Sequence, residues 1–183
     1  MTRITTIDPK TATGKSKELL DAVHSKLGMT PNMTRVMASS PAVLEAYLAF
    51  SGALSGGALD AQLREQLALV VAQENGCEYC LSAHTAIGKM TGLRIDEIEA
   101  SRRGLSTDAK RAAALDFART VVIEAGAVKD EDVERVRSAG YSDGEIAEIV
   151  AAVALNVFTN YINIVAGTVI DFPKVARELE VFA

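Results

Sequence analysis

Apolar positions recur at intervals of three and four residues along most of the chain, and strict alternation is weak throughout, a pattern that predicts an all-α protein. Leu19, Leu20, Val23 and Leu27 space a first helix that follows Thr11-Ala12-Thr13-Gly14 and stops at Gly28. Pro31 to Met37 reads as a short second helix. Ser40 and Pro41 then supply an N-cap and a first-turn proline for a third, near residues 41–55, which carries Val43, Leu44, Tyr47, Leu48 and Phe50. The next helix begins near Asp60 and runs to Gln73 or Glu74. Its apolar residues, Leu63 and the run Leu67 to Ala72, leave a narrow polar stripe at Gln62, Gln66 and Gln73, the mark of a central helix. Glu65 lies off that stripe among Ala68, Leu69 and Ala72, so its carboxylate is expected to be at least partly buried.

Asn75-Gly76 reads as a tight break before a helix that continues through Ile87 to about Met90 and stops at Thr91-Gly92. Further helices are predicted from Ile95 to Arg103, from Asp108 through Leu115, Phe117, Ala118 and Val122 to Glu124, and from Asp130 to Ser138. Ser142, with Glu145 three residues on, has capping-box spacing and opens a long helix to about Ala166. Its apolar run from Ile149 to Thr159 is interrupted by Glu148, Asn156, Asn160 and Asn163, too often for a membrane span of about 20 residues. A core or subunit-interface helix is the expectation, with no membrane partner. After Asp171-Phe172-Pro173 a short charged helical tail is predicted. A shift of 83 residues lays Glu148 on Glu65, Asn160 on Cys77, Asn163 on Cys80 and Gly167 on His84, which raises the idea of two related helical halves.

Composition narrows the class. The 183 residues suit one domain, residues 1–183, large enough to bury roughly two-thirds of the surface of the unfolded chain. Nineteen basic and 24 acidic residues are dispersed without a block of either sign, which argues against nucleic acid as a partner. The first ten residues lack the apolar run of a secretory signal, so the expectation is a cytoplasmic protein. In a reducing compartment a close cysteine pair is more often redox-active or metal-binding than a structural disulfide.

Such a pair is present. Cys77-Glu78-Tyr79-Cys80, followed by His84, gathers both cysteines of the chain and one of its two histidines. On a helix Cys77, Cys80 and His84 share a face. His24, among Lys and Ser, reads as a surface residue. If the helices on either side of Asn75-Gly76 fold back as a hairpin, Glu65 and His84 lie roughly 15 Å and 12 Å from the turn and their side chains meet. His84 can then take the Cys80 proton, directly or through water, with Glu65 orienting the imidazole, while Cys77 nearer the solvent end serves as exchange partner. Two readings stand beside this one: buried cysteines that merely pack, and a zinc site built from Cys77, Cys80, His84 and Glu65.

Glu65, the Cys77-Glu78-Tyr79-Cys80 unit and His84, at this spacing, resemble the signature of AhpD-like alkylhydroperoxidases within the carboxymuconolactone decarboxylase family, specifically over about residues 60–92. The resemblance implies an all-α AhpD-like fold, a homo-oligomer such as a trimer or hexamer, and no cofactor. It implies an antioxidant thiol peroxidase or disulfide reductase acting on an organic hydroperoxide, or on a partner peroxiredoxin or dithiol reductant protein. In that reading Cys80 is the activated thiol, Cys77 the other half of the disulfide, and Glu65 and His84 the relay. Tyr79 stands where well-known relatives carry a histidine; it donates a hydrogen bond but shuttles protons poorly near pH 7. The alternative is a non-catalytic redox sensor whose disulfide state changes an oligomer interface.

Overall fold

The computed structural model describes residues 2–178, and among them the chain forms nine α-helices and no strand. In order these are α1 (Gly14–Leu27), α2 (Asn32–Met37), α3 (Pro41–Ser55), α4 (Ala61–Glu74), α5 (Glu78–Met90), α6 (Ile95–Arg102), α7 (Ala109–Ile123), α8 (Asp130–Ser138) and α9 (Asp143–Ala166). The helix starts have local causes. Asp60 and Asp108 each accept a backbone N–H three residues on, at 2.8 and 2.9 Å, and Ser142 with Glu145 closes a capping box. Ser40 sits at the N-cap of α3 as the pattern predicts, but its side chain makes no capping bond. His24 is exposed.

α4 is the central element and touches α5, α6, α7 and α9. Every residue from Gln66 to Ala72 is buried. The polar stripe expected along this helix is only partly open to water: Gln62 and Gln73 are half-buried, and Gln66 is enclosed. Gln66, 1% exposed, donates to Ser101 Oγ at 3.1 Å and accepts from Arg111 Nη1 at 2.7 Å. Gln62 donates to the Thr91 carbonyl, and Gln73 accepts from Arg102 Nε at 2.9 Å. The stripe is where α6, α7 and the loops fasten to α4, because a buried amide has to find a partner for both its ends.

α9 packs against α2, α3, α4, α5, α7 and α8. By length and composition it passes for a membrane span, with 44% of the apolar window buried inside the chain. Its interruptions point inward: Asn156, Asn160 and Asn163 are all buried. Glu148, near its start, accepts hydrogen bonds from Ala58 N and Leu59 N and so fixes the approach to α4. A side chain on Gly57 would collide with this carboxylate, the ideal Cβ lying 2.9 Å from its Oε1.

Two sequence expectations need correction. The 83-residue shift does not mark a repeated hairpin, since α9 runs unbroken through Asn160, where the aligned stretch turns at Asn75-Gly76. One pair that it aligns touches instead of superposing, Asn163 lying on Cys80, while Asn160 bonds to Asn75 at the turn. The tail after Pro173 is not helical through residue 178, and the remainder of the predicted tail lies outside the described residues. Its backbone groups are taken by other elements. Val175 N donates to Ser82 Oγ at 2.9 Å, the Ala176 carbonyl accepts from Arg102 Nη2, and the Arg177 carbonyl accepts from Arg102 Nη2 and Gln73 Nε2.

Leu67 is fully buried in the cluster that joins α4, α7 and α9, whereas Met90 is 86% exposed. Leu67→Ala is therefore expected to cost about 2–5 kcal/mol, and Met90→Ala to stay within about 0.5 kcal/mol. Urea unfolding of both variants, followed by circular dichroism, checks the contrast.

Candidate functional site

The site is built at the α4–α5 turn. Gly76 takes the left-handed conformation, φ 66°, and Cys77 N returns to the Ala72 carbonyl at 2.9 Å, so the chain reverses within two residues of α4. Cys77 becomes the N-cap of α5, its Sγ accepting from Cys80 N at 3.4 Å. Both cysteines are free thiols.

The expectation that Cys77 faces solvent is not met. Cys77 is 1% exposed and Cys80 2%. The first turns of α5 pack under Met33 of α2 and under Ile170, Phe172 and Val175 of the chain end, a cover with no local sequence signal.

The hairpin does bring Glu65 and His84 together: Glu65 Oε2 lies 2.7 Å from His84 Nδ1. These side chains are 16% and 21% exposed, so the pair forms the more open side of an otherwise closed site. Burial pulls the His84 pKa down, but the charge and hydrogen bond of Glu65, helped by Cys77, outweigh it and leave the pKa raised. No direct hydrogen bond joins His84 to either sulfur; His84 and Cys77 instead feel each other's charge.

The two thiols are driven apart. A hydrogen bond from Cys77 lowers the Cys80 pKa against the opposing effect of burial, and Asn163, Asn160 and Thr159 lower it further. Cys77 is raised, first by that same bond to Cys80 and then by burial. Asn163 Nδ2 donates to Cys80 Sγ at 3.3 Å. The arrangement favours a thiolate at Cys80 and a thiol at Cys77, with a carboxylate–imidazole pair alongside.

Tyr79 is turned away from this work. Its hydroxyl accepts from Met33 N at 3.1 Å, and its ring meets Phe172 edge-on at 5.8 Å, so it ties α5 to α2 and the chain end. Burial raises its pKa. Tyr47 of α3, read from the sequence only as one of the residues that this helix carries, lies near enough for the charges of Cys80 and Glu65 to act on it; burial first, then those charges, push its pKa up to about 12. Thr159, Asn160 and Asn163 were also missed as site residues. The available signal was polar residues at helical spacing inside an apolar run, which reads as interruption until a sulfur is placed beside it. Among the described residues no three His, Cys, Asp or Glu side chains gather as a metal site, so the four candidate zinc ligands do not converge.

Residues 41–122 match the family model described as Carboxymuconolactone decarboxylase family. The fold is similar to that of a peroxidase-related protein from Ralstonia eutropha JMP134, described as an alkylhydroperoxidase AhpD core, with a TM-score of 0.81 and 24% identity over 93% of this chain and 92% of that one. A peroxidase-related protein from Silicibacter sp. TM1040 gives 0.79 and 27% over 92% and 94%. The debrominase Bmp8, in complex with 2,3,4-tribromopyrrole, gives 0.79 and 20% over 93% and 92%. Among curated proteins no sequence matches the chain.

Two outcomes follow from the electrostatics. Cys77→Ala removes the bond that most lowers Cys80, so the pH profile of Cys80 alkylation, read by peptide mass spectrometry, is expected to move to higher pH; Cys77→Ser, which keeps a donor, moves it less. His84 binds its proton more tightly folded than unfolded, so it adds stability that is fully present below pH about 6.5 and lost as pH rises through the folded value. Glu65→Gln is expected to erase that contribution, so the stability gap to wild type in urea is wider at pH 5.5 than at pH 8.5.

Proposed function

We propose, from the premise that this chain is an AhpD-like member of the carboxymuconolactone decarboxylase family, that it is a dithiol oxidoreductase that reduces organic hydroperoxides. The observation that carries the reading is the geometry of the dithiol: Asn163 Nδ2 donates to Cys80 Sγ at 3.3 Å, Cys77 caps the same helix one turn away, and the Glu65–His84 pair lies alongside, an arrangement that favours a thiolate at Cys80. Attack on an O–O bond needs a thiolate, and formation of a disulfide needs a second sulfur that keeps its proton until its turn.

The Cys80 thiolate attacks the terminal oxygen of R–O–O–H. The S–O bond forms as the O–O bond breaks, sulfur is oxidised by two electrons, and the leaving RO⁻ takes the proton of the His84 imidazolium to depart as ROH. Cys77 then gives its proton to His84 and attacks the sulfur of the Cys80 sulfenic acid. The S–S bond forms, hydroxide leaves and is protonated to water, and His84 is restored as a base. An external dithiol, supplied by a small molecule or a partner protein, returns the pair to the reduced state by thiol–disulfide exchange. Glu65 holds the imidazole in place and balances its charge through both steps. The disulfide of a peroxiredoxin would be reduced by the same pair. A homo-oligomer and a cytoplasmic setting go with this reading.

The likeness to Bmp8 brings in a second substrate class, a brominated pyrrole, which the same two-electron dithiol could reduce. The test is single-turnover oxidation of the pre-reduced protein by cumene hydroperoxide across pH 5 to 9, with a parallel arm containing 2,3,4-tribromopyrrole. Hydroperoxide consumption well above that of free dithiothreitol, with loss of one thiol pair per turnover, is expected, and Cys80→Ser is expected to lose at least 100-fold. Bromide release without hydroperoxide consumption would replace the reading with the brominated substrate; neither reaction would leave a redox sensor, checked by a change in oligomer size on oxidation.

A further inference from the structure

Around Cys80, α9 leaves two amide atoms without a hydrogen bond. Asn160 is fully buried, and its Oδ1 accepts from Asn75 Nδ2 at 2.9 Å, which fixes the plane of the amide and turns its Nδ2 toward Cys80, whose thiolate it favours without closing a hydrogen bond. Asn163 is 3% exposed, and its Nδ2 is committed to Cys80 Sγ, which leaves its Oδ1 without a partner. A buried polar atom without a hydrogen bond is costly, and a native core holds few of them. Here an orphan donor and an orphan acceptor sit one helical turn apart, on the side of α9 that faces the reactive sulfur.

One kind of group answers both at once, a hydroxyl that accepts on its oxygen and donates its proton. The terminal –O–O–H of a hydroperoxide is such a group, and so is the Cys80–S–OH that succeeds it. We infer that Asn160 and Asn163 form the oxygen-binding subsite of this dithiol, Asn160 Nδ2 donating to the oxygen that is transferred and Asn163 Oδ1 accepting its proton. The inference rests on the hydroperoxide reading above and adds residues that neither the cysteine motif nor its Glu–His pair contains. The oxygen passes from R–O–O–H to Cys80 while held by the same two amides, so the contacts that bind the substrate also align the O–O bond with the sulfur through the transition state, while the leaving RO⁻ takes its proton from His84.

The experiment compares wild type, Asn160→Ala, Asn160→Ser and Asn75→Ala as full chains, each shown to be folded by circular dichroism. Two rates are measured on the reduced proteins: Cys80 alkylation by iodoacetamide, which transfers no oxygen, and single-turnover oxidation by cumene hydroperoxide, normalised to the thiolate fraction from the alkylation profile. Asn160→Ala is expected to lower the normalised hydroperoxide rate by at least about tenfold, the effect of one transition-state hydrogen bond, while its normalised alkylation rate stays within about twofold. Asn160→Ser, which keeps a donor, recovers part of the loss. Asn75→Ala removes the bond that orients the Asn160 amide but keeps the donor itself, and is expected to lose less of the hydroperoxide rate than Asn160→Ala. Equal normalised hydroperoxide rates in wild type and Asn160→Ala, or an equal loss in Asn75→Ala, would overturn the subsite while leaving the peroxidase reading intact. A wild type no faster than free dithiothreitol would overturn both.

Discussion

A charge placed beneath a protein surface must be met by hydrogen bonds or it will not form, and the dithiol of this chain is the point at which that constraint governs the fold. Cys80 is sealed among Ala72, Leu81 and Ala83, surroundings that would hold a thiol neutral. What offsets them is polar and comes from two directions: Cys77 at the start of its own helix, and an amide of α9, 83 residues away in sequence. The long helix keeps buried asparagines at a cost to its own packing, and the site depends on that concession.

Seen this way the architecture divides its tasks. α4 supplies one wall and the carboxylate, and the turn at Gly76 sets the distance at which Glu65 and His84 meet. α9 supplies the donors. α2 and the chain end supply the cover, fastened through the Tyr79 hydroxyl on Met33 N and through Arg102 on two carbonyls of the tail. Each tie is a side chain meeting a backbone group that no helix satisfies, which is why the tail needs no secondary structure of its own.

Local signals in the chain were enough for the helices and for the Glu65–His84 meeting, because both follow from spacing: apolar periodicity for the first, rise per residue on either side of a Gly turn for the second. The Gln66 environment was not legible. A glutamine at helical spacing from other glutamines reads as a wet face, and only the positions of Ser101 and Arg111 show that it is a dry one. The asparagines of α9 failed in a related way, since a residue that breaks an apolar run carries no information about which distant sulfur it will touch. Tyr79 was placed in the site because it stands where relatives carry a histidine; a helix turns neighbouring residues about 100° apart, and its hydroxyl went to α2. The helical tail was read from its charges, whereas its carbonyls and Val175 N were already claimed by α4, α5 and α6.

The strap formed by residues 170–177 has a further meaning. Its Ile170, Phe172 and Val175 pack against the cluster that holds both cysteines, and the Glu65–His84 side is the more open one, so the shorter way in for a reactant or an exchanging dithiol runs past the carboxylate–imidazole pair. The seal over the dithiol is thus made by a segment remote in sequence from the hairpin that carries the sulfurs.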